Sequence, residues 1–383
     1  MSQDLKNVVI VGLGLSGTHA LESLSKSLPS SHRIIAISPI PGFWPVGALR
    51  ASVVPGYEAN TIAPLSHLLP SSSRHRILEG YSVDQVKERS IVLDKSHEEF
   101  GLEIEFEYMV LATGSSYPFP CRPPPDSTEE SIVKLFQSLQ SEIAEASSIL
   151  ILGGGPVGME LAGEIAEYYS APGKQKKKIT LVHGGERLLA AESWKPKFGK
   201  NLQGQLENLG VEVVLGEKVD IGERETGTLR PGKDQEFRLS NGSTVKADFL
   251  FVAFGSAPNT SFLPPSFVSP ETHRVLVNAS FQTRANPRIF AIGDICSIDE
   301  EKLYANAKSH GPIVAANIAS LIQGRDDKSL KEYKPGAAMM VVSVGSKGGA
   351  GQLFGWVVGP WLMSMIKSKT LFVPQFKQLY GVA

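Results

Sequence analysis

The sequence predicts an α/β protein in which one strand–turn–helix unit is used twice and a smaller C-terminal segment follows. Three observations predict it. An apolar run at residues 7–11 (NVVIV) passes directly into Gly12-Leu13-Gly14-Leu15-Ser16-Gly17 and then into a helical stretch. The same order recurs where residues 149–152 (ILIL) meet Gly153-Gly154-Gly155-Pro156-Val157-Gly158. Further short apolar runs end on Gly114, Gly255 and Gly293. Short, continuous apolar runs are the pattern of strands buried on both faces of a parallel sheet.

The first helix reads to about residue 26, and residues 33–37 (RIIAI) form the next strand. Strand, glycine turn, helix and strand thus fit within about 30 residues, the unit in which a GxGxxG match acquires meaning. The first glycine permits the tight turn, the second lets backbone approach a pyrophosphate, and the third lets helix and strand pack closely. The helix N-terminus then faces the phosphates with free N–H groups and its positive dipole end. Tight packing alone accounts for one such turn but poorly for two, so the chain is read as two Rossmann-type dinucleotide-binding domains. Residues 108–113 (YMVLAT) form a strand ending at Gly114, and the five prolines of 118–125 read as a crossing linker. The second helix reads as about 157–169, followed by strands at 179–183 (ITLVH), 248–254 (DFLFVAF, closing on Gly255) and 288–292 (RIFAI, closing on Gly293-Asp294). A helix over about 305–323 comes next. The turns begin 141 residues apart, a duplicated architecture rather than a short-period repeat. The expected organisation is residues 1–120 and 258–335 as two parts of the first domain, 121–257 as the second, and 336–383 as the C-terminal segment.

Bulk properties narrow the function classes. At roughly 150 residues per domain, 383 residues suggest two or three domains. A net charge of −1, with 42% hydrophobic and 20% charged residues, gives no global field to attract nucleic acid. Lys174, Lys176, Lys177 and Lys178 form the one dense basic run, read as a solvated loop. The two cysteines, Cys121 and Cys296, form no CxxC or CxxxxC pair; Cys296 is expected to be buried, and Cys121, among prolines, exposed. No metal site is expected. The N-terminus is polar, leaves no room for a signal peptide, and has Ser2 where myristoylation needs glycine. No apolar run reaches about 18 residues, so no membrane span is expected.

Ala112-Thr113-Gly114 and Gly255 close strands of similar length. At Gly293-Asp294, an Asp can hydrogen-bond a polyol chain; the plainer alternative is an N-cap or turn residue.

The order GxGxxG, ATG, GxGxxG, GD resembles that of the glutathione-reductase-like flavoproteins. Within them, the chain most resembles the apoptosis-inducing-factor homologues of the ferroptosis-suppressor type, in the pyridine nucleotide-disulfide oxidoreductase superfamily. The matching stretches are ALRASV (48–53), LATGS (111–115), GGGPVGME (153–160), AIGD (291–294), YKPGA (333–337), and Gly351-Gln352 through Leu371-Phe372-Val373. They cover nearly the whole chain, including a tail that other members of the superfamily do not share. The resemblance implies FAD at the first turn, NADH or NADPH at the second, and hydride transfer between them. Gly12, Leu13, Gly14, Leu15, Ser16 and Gly17 would hold the FAD pyrophosphate. Arg50 would lie near FAD, the Val83 backbone at its adenine end, Asp294 on the ribityl chain, and Ala112, Thr113, Gly114 and Gly293 around it. Gly153, Gly155, Pro156 and Gly158 would hold the second pyrophosphate, with Gly255 at the neighbouring strand end. Glu160 would help orient the nicotinamide; otherwise it is a favourable acid near a helix start.

Two positions depart from the family pattern. An acid normally closes the second strand of the FAD fold, on the adenosine ribose; here Ser38 stands there. The matching place in the other fold is His183, with Arg187 nearby. His183 is an ordinary strand-end polar residue or a cofactor contact, and it does not repel a 2′-phosphate as a carboxylate would. The choice between NADH and NADPH stays open.

Without a dithiol relay, flavin must itself reduce the acceptor. The resemblance implies a lipophilic quinone. The alternatives are a small electron-transfer protein, or a signalling flavoprotein of the apoptosis-inducing-factor type. Phe354 and Trp356, in an apolar stretch ending near Met363, are candidate acceptor-pocket residues. That stretch is either a core or dimer contact or an interfacial segment making weak peripheral contact with a membrane. The expected protein is a monomer or homodimer, cytoplasmic or peripheral to a membrane or lipid droplet.

Overall fold

The computed structural model describes residues 5–222, 226–229 and 235–382. The polar N-terminus, residues 1–4, lies outside the described residues. Two five-stranded sheets organise the molecule. The first has the order Ile289–Ala291, Tyr108–Leu111, Lys6–Val11, His32–Ser38, Arg76–Glu79, all parallel. Val8, Val9 and Ile10 are fully buried, as strands covered on both faces must be. The helices Leu15–Ser27 and Tyr304–Ile322 pack against one another beside this sheet.

The second sheet runs Val211–Leu215, Lys178–His183, Ser148–Leu152, Phe249–Val252, Gly227–Thr228, with only the last strand antiparallel. Helix Pro156–Tyr169 follows its glycine turn. The chain crosses between the sheets at two places, and these pair: Ser115–Ser116 lies antiparallel to Ala257–Pro258. Thr113 Oγ1 donates to the Asn259 carbonyl, and Asn259 Nδ2 donates back to the Thr113 carbonyl, each at 2.8 Å.

Two elements had no clear periodic signal. An antiparallel sheet of Val83–Val86, Ser90–His97 and Gly101–Glu105 is inserted into the first unit. Helix Glu129–Glu145 starts from a capping box made by Thr128 and Ser131.

The C-terminal segment is divided between the two cores. Its antiparallel strands Met340–Val344, Gly348–Leu353 and Trp356–Val358 pack on helices Pro156–Tyr169 and Pro196–Asn208. Met340, Val342, Val344 and Ala350 join the apolar core of the second sheet. The final helix, Val373–Leu379, instead places Phe376 and Tyr380 in the core of the first.

Two expectations are corrected. Cys121 is half-buried rather than exposed, because the proline segment packs Phe119 and Cys121 onto the second core. The lysine run is not wholly solvated. Lys177 is 5% exposed and donates to the Ala144 and Ala146 carbonyls at 2.5 Å. It thereby supplies donors to the orphan carbonyls at the end of helix Glu129–Glu145. Lys174 lies 3.3 Å from the Tyr168 ring centroid. Cys296 is buried as expected. Among the described residues, no helix is long and apolar enough to cross a membrane.

Candidate functional site

The two glycine turns repeat one geometry. Gly12 and Gly153 have φ of +97° and +120°, open to glycine but strained for other residues. A Cβ on Gly17 would overlap the Gly12 carbonyl oxygen, and one on Gly158 would overlap that of Gly153. The third glycine in each turn is therefore demanded by packing. The second is different: a Cβ on Gly14 or Gly155 would meet nothing within 4 Å. Packing does not require glycine there; clear space in front of the backbone does. Both helices also start without a side-chain cap, in contrast to helix Glu129–Glu145. Their first N–H groups have no side-chain cap and stay open to water or an anion. Clear backbone, uncapped N–H groups and a positive helix end fit a dinucleotide pyrophosphate at both places.

The parts of the first site converge. A Cβ on Gly12 would lie 2.6 Å from the Ala112 carbonyl oxygen and 3.0 Å from Thr113 Cα. One on Gly293 would lie 2.5 Å from Ser16 Oγ. The turn bearing Gly12 to Gly17, the strand end Ala112-Thr113-Gly114, and Gly293-Asp294 thus form one cluster. Gly293 N–H donates to His310 Nδ1 at 3.1 Å. The imidazole accepts through Nδ1, which leaves its proton on Nε2, 2.9 Å from Glu300 Oε1. Tyr333 donates to the other Glu300 oxygen at 2.7 Å. Burial pushes the Asp294 carboxyl above its usual range, with Lys302, Arg274 and Arg122 pulling it back. Arg122 donates to the Thr113 and Ser115 carbonyls.

Ser38 is buried, and its hydroxyl donates to the Ile40 carbonyl at 2.8 Å. Val83 is buried where the inserted antiparallel sheet meets the first core. Arg50 is held by protein groups. Its Nε and Nη2 clamp both Glu164 oxygens at 2.8 and 2.7 Å, and Nη2 also donates to the Ser368 carbonyl. Burial presses the guanidinium toward its neutral form, but Glu164 outweighs that and raises its pKa.

At the second site, a Cβ on Gly153 would lie 3.1 Å from the Ala253 carbonyl oxygen, just after strand Phe249–Val252. Pro156 is the first residue of the helix. Gly255 faces open space at φ +91°. A cavity of about 80 Å³ beside this turn is lined by Tyr117, Cys121, Val157 and Phe254, among others. The His183 ring is folded inward: a Cβ on Gly154 would lie 2.6 Å from its Cγ, and one on Gly185 would lie 2.9 Å from its Nε2. Burial lowers its pKa, which keeps it neutral at pH 7. Arg187 is turned onto the Leu189, Ala190 and Ala191 carbonyls.

Glu160 is 7% exposed and accepts from Ser343 N–H at 2.9 Å and Lys367 Nζ at 2.5 Å. Phe354 and Trp356 are each 77% exposed at the tip of a hairpin, where Lys195 holds the Gly355 carbonyl. Among the described residues, no hydrogen bond or ring contact ties their side chains to Glu160 or to the turns, because the hairpin holds them out in solvent. Lys367, Glu164, Arg122 and His310 were missed. Glu160 and Glu164, four apart on a mostly apolar helix, were the available signal: buried acids call for buried cations.

Two glycine turns, each opening a helix after a parallel strand and tied together by a paired crossing, have the form of two dinucleotide-binding units. The chain belongs to the pyridine nucleotide-disulphide oxidoreductase family, whose profile matches residues 6–311. Its cofactors are FAD and a nicotinamide dinucleotide. The chain is 31% identical to ferroptosis suppressor protein 1 of Taeniopygia guttata, over 98% of this chain and 95% of that one. It is 30% identical to apoptosis-inducing factor homolog B of Dictyostelium discoideum, over 98% of this chain and 97% of that one. The resemblance read from the motifs thus holds along the chain. The fold is also that of a water-forming NADH oxidase from Lactobacillus brevis, at a TM-score of 0.70 and 16% identity, covering 90% of this chain and 74% of that one.

Proposed function

We propose that the protein is an NAD(P)H:quinone-type oxidoreductase that holds FAD at the first turn and the nicotinamide dinucleotide at the second. The bound cofactors supply the redox chemistry, hydride from nicotinamide to flavin and electrons onward to the acceptor. The chain's own part is to bind, orient and exclude water. Gly14 and Gly155 leave backbone clear for the two pyrophosphates, and Asp294 offers a carboxylate at the first site. Lys367 fixes the Glu160 carboxylate near the start of the second helix.

One observation carries the choice of acceptor: two intact dinucleotide turns stand in a chain without a dithiol. Cys121 and Cys296 are both free. Burial pushes the Cys121 thiol up to about 12 and raises Cys296 as well, so neither is a ready thiolate at pH 7. Direct reduction of a small acceptor needs no such relay. An apolar surface on the C-terminal segment supports a lipophilic one. Phe354, Trp356, Trp361 and Met365 are 63–77% exposed, with Lys195 held on the Gly355 carbonyl and Lys369 close by in the chain. Such a surface suits weak peripheral contact with a bilayer in which a quinone is dissolved. His183 in the place of a carboxylate supports acceptance of NADPH beside NADH, since that position itself does not repel a 2′-phosphate.

Anaerobic stopped-flow reduction by NADH and NADPH, followed by reoxidation with short- and long-chain quinones, tests the reading. Flavin reduction by at least one nucleotide and faster reoxidation with quinone are expected. Reoxidation no faster with any quinone than with buffer would overturn it.

A further inference from the structure

The last helix delivers Tyr380 beneath the first glycine turn. The side chain has no solvent exposure, and its hydroxyl donates to the Leu13 carbonyl at 2.9 Å. Leu13 lies between Gly12 and Gly14 in the turn itself. Thr18 Oγ1 donates to the same carbonyl at 3.1 Å and lies 3.3 Å from the Tyr380 hydroxyl. Space for the ring is made by Gly42, where a Cβ would overlap the Tyr380 ring. Phe376 stacks on Trp44 with centroids 5.4 Å apart, and Trp44 Nε1 donates to the Leu371 carbonyl at 2.7 Å. The end of the chain is therefore built into the first unit rather than resting on it.

The Leu13 carbonyl and the Gly14 N–H belong to one planar trans peptide, so they point in opposite directions. A hydroxyl that holds the carbonyl on the protein side turns the Gly14 N–H toward the face where a Gly14 Cβ would meet nothing. That face is where a pyrophosphate approaches.

We propose that Tyr380 is a positioning residue for FAD, and that the C-terminal helix is a clasp setting how tightly the first turn holds the dinucleotide. Upstream, the same segment places Lys367 on Glu160 and the Ser368 carbonyl on Arg50. The clasp thus spans from the second glycine-turn helix to the first turn.

Apoprotein prepared from the holoenzyme and titrated with FAD tests this. Tyr380→Phe removes one oxygen and keeps the ring. It is expected to weaken FAD about three- to tenfold, the range of one lost hydrogen bond, and to leave NADH affinity unchanged. The rise in melting temperature on adding FAD should shrink with it. A merely structural hydroxyl would lower the apo and holo melting temperatures equally and leave that rise intact, which would overturn the proposal. An unchanged FAD dissociation constant would do the same. Should Tyr380→Phe fail to fold, Thr18→Val removes the other donor to Leu13. The same weakening is expected there, and parental FAD affinity in a folded Thr18→Val protein would overturn the proposal.

Discussion

Lys367 Nζ and Glu160 Oε1 lie 2.5 Å apart, joining the C-terminal segment to the helix of the second glycine turn. Their side chains are 10% and 9% exposed. The pair is completed by neighbours: Ser343 N–H donates to the same Glu160 oxygen, and Lys367 also donates to the Val341 carbonyl. Four residues along the helix, Glu164 accepts from Nε and Nη2 of the Arg50 guanidinium. Two buried cations from distant parts of the chain therefore meet one helix.

Removing one partner of a buried pair leaves the other charge without compensation. Lys367→Met is expected to cost about 3 kcal/mol in chemical denaturation. Glu160→Gln combined with Lys367→Met should recover part of that, with a coupling of at least about 1 kcal/mol in a double-mutant cycle. Additive losses would show that the pair contributes nothing as a pair.

At position 50, charge alone is not enough. Lysine cannot hold both Glu164 oxygens and the Ser368 carbonyl in one plane. Arg50→Lys should destabilise by about 2 kcal/mol and speed proteolysis of the C-terminal segment. Parental melting temperature and digestion rate would contradict the domain-joining role.

The second and third glycines of each turn should respond oppositely to one methyl group. Gly155 has φ −81° and open space, so Gly155→Ala should change stability by less than about 0.5 kcal/mol. It should leave FAD content intact and weaken NADH binding at least tenfold. Gly158→Ala forces a methyl into the Gly153 carbonyl and should cost about 3 kcal/mol or more. Isothermal titration and denaturation of the two variants separate the effects, and equal behaviour would refute the division.

Asp294 should set a pH dependence in the apoprotein. Burial raises its folded-state pKa above 3.8, so the folded state binds the proton more tightly than the unfolded chain. This contribution favours folding below the unfolded value and is lost as pH rises through the folded one. Asp294→Asn should therefore stabilise the apoprotein at pH 7, by less than about 1 kcal/mol given the neighbouring cations. The advantage should vanish near pH 3, while FAD binding weakens. Melting curves of the two apoproteins across pH check it; a destabilised Asp294→Asn apoprotein at pH 7 would reverse the sign.

Local pattern carried much of the reading. The strand before each turn, the helix after it and the spacing of three glycines are all set within a few residues by backbone sterics, and the structure has them where the pattern put them. Gly293-Asp294 was legible for the same reason, as a short strand closing on a turn. Lys177 and Cys121 were misjudged because burial depends on what packs from elsewhere in the chain.

By itself, the sequence determined the doubled parallel-sheet architecture, the two dinucleotide turns and the absence of a dithiol, because these are properties of contiguous residues and composition. Tertiary structure alone decided that Arg50 meets Glu164, that Lys367 meets Glu160, and that Tyr380 reaches Leu13. Each of those contacts joins residues more than a hundred positions apart. No periodicity encodes such pairings. They exist because a buried charge or hydroxyl must find a partner inside the fold, and only the packed chain determines which one is within reach.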